Sequence, residues 1–242
     1  MLRLMAMIRL YLDHPLGDGQ SVALSRDHAN YLFNVMRLSV GDRVLVFNGR
    51  DGEFAAEVVH AAKRNGILMV GAQTKPLQAP PDLWLLFAPI KKARTDFIVE
   101  KATEMGAARI LPVLTEFTNS DRLRQDKLQA HVIEAAEQCG ATFVPEVAQL
   151  HKLGNVLSNW SDARQILFCD EGLAGDAQAL DVPRGGKWAI LIGPEGGFSE
   201  VERERLINLP FVHRIGLGPR ILRADTAAVA AMTIWQSTLG DW

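Results

Sequence analysis

The chain has 242 residues, 48% of them hydrophobic, with a formal net charge of −2 and two cysteines, enough apolar material for one large core or two smaller ones. No run of about 18 apolar residues occurs, and Arg3 and Arg9 interrupt the apolar N-terminus, which argues against a membrane span and a secretory signal. Cys139 and Cys169 are too few for a disulfide framework or a four-thiolate zinc site, and the six histidines lack ligand spacing, so a reducing cytoplasm and no metal are expected.

The first 75 residues read as strands and turns: Ile8–Leu12, Ser21–Leu24, Arg43–Phe47, Phe54–Val59 and Ile67–Val70, separated by Gly17-Asp-Gly19, Gly41-Asp42 and Asn48-Gly-Arg-Asp-Gly52. One helix, Arg26–Arg37, interrupts them. The first strand begins just after Met7, so residues 1–6 read as an extension. The pattern predicts a small β-barrel over 1–75. This segment holds nine Lys+Arg against seven Asp+Glu, whereas the remainder holds 17 against 21, an asymmetry that a solvated mixed surface explains as well as an RNA partner does.

Lys75-Pro-Leu-Gln-Ala-Pro-Pro81 is a Pro-rich break and the candidate linker. Beyond it, over 82–242, strands and helices alternate: strand Leu83–Ala88, helix Ala93–Met105 stopped by Gly106, strand Ile110–Leu114, a helix capped by Ser120 and running through Cys139 to Gly140, then strands Gln165–Cys169, Trp188–Ile192 and Phe211–Leu217. That alternation implies an α/β domain built on a parallel sheet.

Two Gly/Pro turns carry the chemistry. Ser199-Glu-Val-Glu202 is a capping box, so a helix runs from Glu200 to Asn208 and Gly193–Phe198 becomes a strand-to-helix turn. Gly218–Ala224 leads into a helix over Asp225–Leu239. In an open parallel sheet such turns stand at the carboxyl ends of strands, where ligands bind, and glycines let the backbone approach a ligand closely. Neither turn contains G-x-G-x-x-G, and no G-x-x-x-x-G-K-[ST] occurs, so dinucleotide and P-loop sites are not supported.

Leu191-Ile-Gly-Pro-Glu-Gly-Gly-Phe-Ser199 followed by Leu217-Gly-Pro-Arg-Ile-Leu-Arg-Ala-Asp-Thr226 closely resembles the bacterial ribosomal RNA small subunit methyltransferase E family, within the SPOUT superfamily. The similarity extends through Lys91-x-x-Arg94-x-Asp96-Phe97, Lys101-Ala-Thr-Glu-Met-Gly106, Glu134-Ala-Ala-Glu-Gln-Cys-Gly140, and Val35-Met-Arg-Leu with Gly41-Asp42. It implies a PUA-like RNA-binding barrel, a SPOUT-type domain with a deep trefoil knot, and a cytoplasmic homodimer. The implied reaction is methylation of N3 of a uridine in the 16S rRNA of the small ribosomal subunit by S-adenosylmethionine. A SPOUT ribose 2′-O-methyltransferase and a non-catalytic RNA-binding or ribosome-assembly protein are the alternatives.

The resemblance assigns cofactor binding to Leu167, Ile192, Gly193, Pro194, Glu195, Gly196, Leu217, Gly218, Leu222, Arg223 and Thr226, with Ile221 as a further apolar wall. Arg223 is the choice for stabilising charge on an imide as it deprotonates, because a guanidinium stays charged and cannot itself be the base. Asp225 is either that base or a helix cap; a helix N-terminus stabilises the carboxylate and so weakens it as a base. Glu195 binds the cofactor or a partner subunit, or fixes its own loop. RNA contacts fall to Arg9, Arg37, Lys91, Lys92, Arg94 and Arg220, where Arg220 reads equally as a dimer ion pair and Lys92 as a solvated charge. Phe117 and Ala141 stand where relatives commonly have Arg, which bears on the RNA path.

Overall fold

The computed structural model describes residues 7–120, 122–175, 182 and 185–242; the N-terminal extension read at 1–6 lies outside them. The chain divides into two compact units, 1–79 with 136–144, and 80–135 with 145–242.

In the first unit, β1 (Arg9–Tyr11), β2 (Ser21–Ala23), β3 (Arg43–Phe47), β4 (Glu53–Ala62) and β5 (Asn65–Lys75) form a sheet in the order β1-β3-β4-β5-β2. The β1–β3 pair is parallel and the others are antiparallel. Alternate residues Val44, Val46, Ala56, Val58, Leu68 and Val70 are buried with Leu10, Val22, Ala29 and Leu32 in one core, as the period-two pattern requires. Strands β4 and β5 run well past their predicted ends. Register shifts near Glu53, Phe54 and Val58 break the alternation that would have revealed the full hairpin.

The helix expected over Arg26–Arg37 is a single turn, α1 (Arg26–Ala29), continued by a π-helical stretch over Asn30–Val35. It ends with Arg37 in the left-handed region (φ 59°) and the Leu38 amide donating back to the Leu32 carbonyl, the arrangement of a helix C-terminus that glycine usually supplies.

The contiguous boundary expected at residue 75 omits a second contribution to this unit. Residues 136–144 belong to it because Thr142, fully buried, accepts from the Gln78 amide (2.8 Å) and donates to the Pro76 carbonyl (3.1 Å). Arg9 donates to the carbonyls of Ala136, Glu137 and Ala141, ion-pairs with Glu53 at 2.7 Å and lies over the Phe47 ring. Its side chain is 11% exposed and that of Glu53 is 1% exposed. The expectation of Arg9 as an RNA contact is therefore corrected: its donors neutralise a buried carboxylate and cap backbone carbonyls. Arg9→Ala is expected to destabilise the protein by roughly 3 kcal/mol, the cost of stranding a buried charge, in chemical denaturation, with no change in the salt dependence of RNA binding.

The second unit carries β6 (Leu83–Phe87), α2 (Lys92–Glu104), β7 (Arg109–Leu114), α3 (Gln125–Cys139, whose last turn falls in the first unit), β8 (Glu146–Val147), β9 (His151–Lys152), α4 (Leu153–Ser158), β10 (Arg164–Cys169), β11 (Lys187–Ile192), α5 (Glu200–Ile207), β12 (Val212–Ile215) and α6 (Ala224–Leu239). Its sheet runs β12-β10-β11-β6-β7-β8, with β9 also paired to β7, and every pair is parallel. Strands β6, β10 and β11 are nearly continuous in apolar residues and buried along most of their length, as strands covered on both faces must be.

Ser120 does not cap α3, which starts five residues later, after Arg124. Strands β8 and β9 and helix α4 were not anticipated, because two- and six-residue elements are too short to show a period. The capping box at Ser199 forms as predicted, with both reciprocal hydrogen bonds to Glu202.

Candidate functional site

From β10 the chain proceeds to β11 on one side and then to β12 on the other. Adjacent strands whose continuations diverge leave a crevice at their carboxyl ends, and the two predicted turns open there. The crevice is an open cleft. Its walls come from three segments: Cys169–Glu171 after β10, Ile192–Phe198 after β11, and Ile215–Ala224 after β12.

Two glycines keep the first turn close to the cleft. A Cβ on Gly193 would stand 2.6 Å from the Phe198 ring, which packs edge-on against buried Phe168. Gly197 has φ +71°, and a Cβ there would run into the Glu171 carboxylate. The second turn contributes Gly218 at φ +100°. Around these backbones Ile192, Leu217 and Leu222 provide apolar walls.

The floor beside β10 is held by a charged anchor. Asp170, 1% exposed, receives Arg203 in a bidentate pair (3.0 and 3.0 Å), Arg214 Nε at 2.8 Å and the Gly172 amide at 3.0 Å. Burial alone would raise its pKa, but the hydrogen bonds from Arg203, Gly172 and Arg214 outweigh burial and hold the carboxyl below its ordinary value. A depressed carboxyl contributes stability that is present above the unfolded value of 3.8 and lost as pH falls through the lower folded value. Asp170→Asn is expected to cost about 2 kcal/mol, the scale of hydrogen bonds to charged groups. Denaturation series from pH 7 downward should show the wild-type advantage shrinking only below about pH 4; an advantage that vanishes near pH 6 would contradict the assignment.

Burial pushes the neighbouring Cys169 thiol up to about 12, so the sulfur is protonated at neutral pH and is not a nucleophile. Arg94, on α2, places Nη1 3.7 Å from both Glu195 on the first turn and Asp225 at the start of α6. This cation thus faces one carboxylate from each of the two segments that frame the cleft.

An RNA methyltransferase domain model matches residues 77–236, and an RNA methyltransferase PUA domain model matches residues 24–68. The ribosomal RNA small subunit methyltransferase E of Rickettsia conorii is 30% identical over 228 residues, spanning 93% of each chain. The chain belongs to the ribosomal RNA small subunit methyltransferase E family. The Bacillus subtilis member is 25% identical over 230 residues, covering 89% of this chain and 90% of its own. The solved structure of the Neisseria gonorrhoeae member, bound to S-adenosyl methionine, is 27% identical with a TM-score of 0.88, covering 98% and 99% of the two chains.

Within this methyltransferase E fold, the predicted residues separate. Ile192, Gly193, Pro194, Glu195, Leu217, Gly218 and Leu222 line the cleft, as do Ile221 and Arg220. Leu167, Gly196, Arg223 and Thr226 are not among its lining residues. Leu167 is fully buried inside β10, and the strand's end, Cys169 and Asp170, reaches the cleft instead. Gly196 faces Phe117, whose Cβ lies 3.3 Å from where a glycine Cβ would stand. Arg223 is the exposed residue preceding α6, between the lining residues Leu222 and Ala224. Asp225 accepts from the Thr226 amide at 2.9 Å.

Among the RNA candidates, Lys92 pairs with Asp96 at 2.6 Å on the exposed face of α2, the solvated role. Arg94 stands 3.7 Å from the Glu195 and Asp225 carboxylates, and its buried Nη1 makes no hydrogen bond among the described residues. Lys91, Arg37 and Arg220 have no ion-pair partner among the described residues. Sequence reasoning missed Asp170, Glu171, Ala174 and Ala227 on the cleft wall; an acidic pair directly after a buried apolar strand was the available signal. Among the described residues no helix is long and apolar enough to cross a membrane, and no cluster of metal-ligating side chains occurs.

Proposed function

We propose that this chain methylates N3 of a uridine in 16S rRNA of the small ribosomal subunit, drawing the methyl group from S-adenosylmethionine bound in the β10–β11–β12 cleft. The observation that carries this reading is the cleft itself: two glycine turns and three strand ends meet in a wall built largely of backbone and apolar side chains. When bound, S-adenosylmethionine supplies an electrophilic methyl group on a positively charged sulfur. Ile192, Leu217 and Leu222 would bury its adenine ring while main-chain groups of the turns read the ring edge.

Arg223, unpaired among the described residues, stabilises the negative charge that develops on the imide as N3 gives its proton to solvent water and takes the methyl group, the donor sulfur leaving as a neutral thioether. Asp225, paired with Arg94 and engaged by the Thr226 amide, acts in positioning, and Glu195 with Arg94 fixes the first turn. Positioning of the two reactants is then most of the catalysis. Arg37, Lys91 and Arg220 supply salt-dependent affinity for phosphates. The cytoplasmic homodimer and the trefoil knot implied by the resemblance complete the reading, with the first unit, 1–79 with 136–144, binding RNA and the second, 80–135 with 145–242, catalytic.

The test is transfer of labelled methyl from S-adenosylmethionine to small ribosomal subunits from cells lacking this protein, followed by nucleoside mass spectrometry. N3-methyluridine is the expected product. A ribose-methylated nucleoside would favour the 2′-O alternative, and cofactor binding without transfer to any RNA would favour a non-catalytic role.

A further inference from the structure

A second, open concavity shares Pro194 and Glu195 with the cleft and is otherwise lined by Pro89, Ile90, Lys91, Asn119 and Ser120. Its two walls are the segment entering α2 and the segment after β7. The side chains of Lys91, Asn119 and Ser120 have no hydrogen-bond or ion-pair partner among the described residues, so a cation, an amide and a hydroxyl are all available to a ligand. Such a polar set beside an apolar floor of Pro89 and Ile90 fits a nucleotide: a phosphate for the ammonium, base and ribose edges for the amide and hydroxyl.

Immediately before this wall stands Phe117. The turn carrying it is fixed: the Thr115 amide donates to Thr118 Oγ1 (2.9 Å), the Thr118 amide to the Thr115 carbonyl (3.2 Å), and the Glu116 amide to Glu202 (3.0 Å). Its Cβ rests against Gly196, yet the residue is 44% exposed. An aromatic side chain held at its root and open to solvent is a platform for an unstacked base.

We propose that this concavity holds the acceptor nucleotide of the RNA, with Lys91 on a phosphate, Asn119 donating to a carbonyl of the base, and Phe117 as the stacking face. The shared Pro194–Glu195 wall then brings the base beside the methyl donor. An amide that binds a carbonyl oxygen leaves N3 free to accept the methyl group. The assignment rests on the reading of this chain as an RNA base methyltransferase, and it puts Phe117 where a cation would otherwise contact the RNA backbone.

Lys91→Ala, Asn119→Ala and Phe117→Ala should each lower kcat/KM for small-subunit RNA by roughly tenfold, the scale of losing one stacking or charged contact, while S-adenosylmethionine affinity by calorimetry stays within about twofold. In parallel, protein with labelled isoleucine δ1 methyls and saturated with S-adenosylhomocysteine is titrated with uridine 5′-monophosphate. The Ile90 methyl resonance should move, and Asn119→Ala should abolish the movement. Variants that retain wild-type kcat/KM would overturn the proposal. If the wild-type protein transfers no methyl to small subunits, the functional reading has failed, and the Ile90 resonance alone decides: movement lost in Asn119→Ala supports a nucleotide site, and no movement overturns it.

Discussion

Replacing Gly193 with valine is expected to weaken S-adenosylmethionine binding about 100-fold, the upper range for forcing methyl groups into a packed site. Gly193 directly follows β11 and lines the cleft. Its missing Cβ leaves room for the Phe198 ring, whose Cε2 would lie 2.6 Å from a Cβ and whose Cδ2 and Cζ would lie at 3.1 and 3.2 Å. The ring has no free retreat, because it stands edge-on to Phe168 at 5.1 Å and Phe168 is fully buried between the sheet and its covering helices. Phe198 must therefore move into the cleft it lines, or the end of β11 must shift; both remove the space a ligand needs. Gly196→Ala is the internal control. It meets only Phe117 at 3.3 Å, on a partly exposed side chain, and should cost less than about fivefold. Calorimetry on both variants, with thermal unfolding to confirm the fold, separates them. A folded Gly193→Val protein with wild-type affinity would mean that the cofactor does not bind in this cleft.

The contrast between these two glycines shows what a sequence can convey about such a site. Gly193-Pro-Glu-Gly-Gly is legible as a turn because Gly and Pro restrict or free the backbone locally, and the capping box at Ser199 fixes where the helix begins. Both are short-range effects written within a few residues. Which glycine faces the ligand is decided by Phe168, Phe198 and Phe117, brought there by the order of strands, and no local pattern carries that. The same holds for Arg9 and Asp170. A lone arginine near an N-terminus reads as a surface cation, yet Glu53 and three carbonyls from a distant segment claim it. Asp170 reads as the end of a strand, yet two arginines 33 and 44 residues away make it the anchor of the cleft floor. The α/β alternation beyond the Pro-rich break was visible because each strand and helix repeats its own period. Helix α3 was misplaced at its start because Ser120 offers a cap that the chain does not use.

Arg223→Ala is expected to lower kcat on small-subunit RNA by about 100-fold or more, the cost of removing one preorganised donor from a developing anion, with cofactor affinity within about twofold of wild type. The two residues flanking Arg223 line the cleft, but Arg223 itself does not. It is exposed, stands at the N-cap of α6 with no cap hydrogen bond from its side chain, and has no ion-pair partner among the described residues. Of the neighbouring charges, Asp225 and Glu195 stand 3.7 Å from Arg94, and Asp170 holds Arg203 and Arg214. Arg223 is thus left with its full charge and fork of donors for a group that arrives with the substrate. Arg223→Lys keeps the charge but loses the planar fork, so it should recover only part of the rate. The informative readout is single-turnover methyl transfer at saturating cofactor, where an effect on kcat is separated from one on binding. Equal losses of rate and cofactor affinity would move Arg223 from the acceptor's side of the reaction to the donor's.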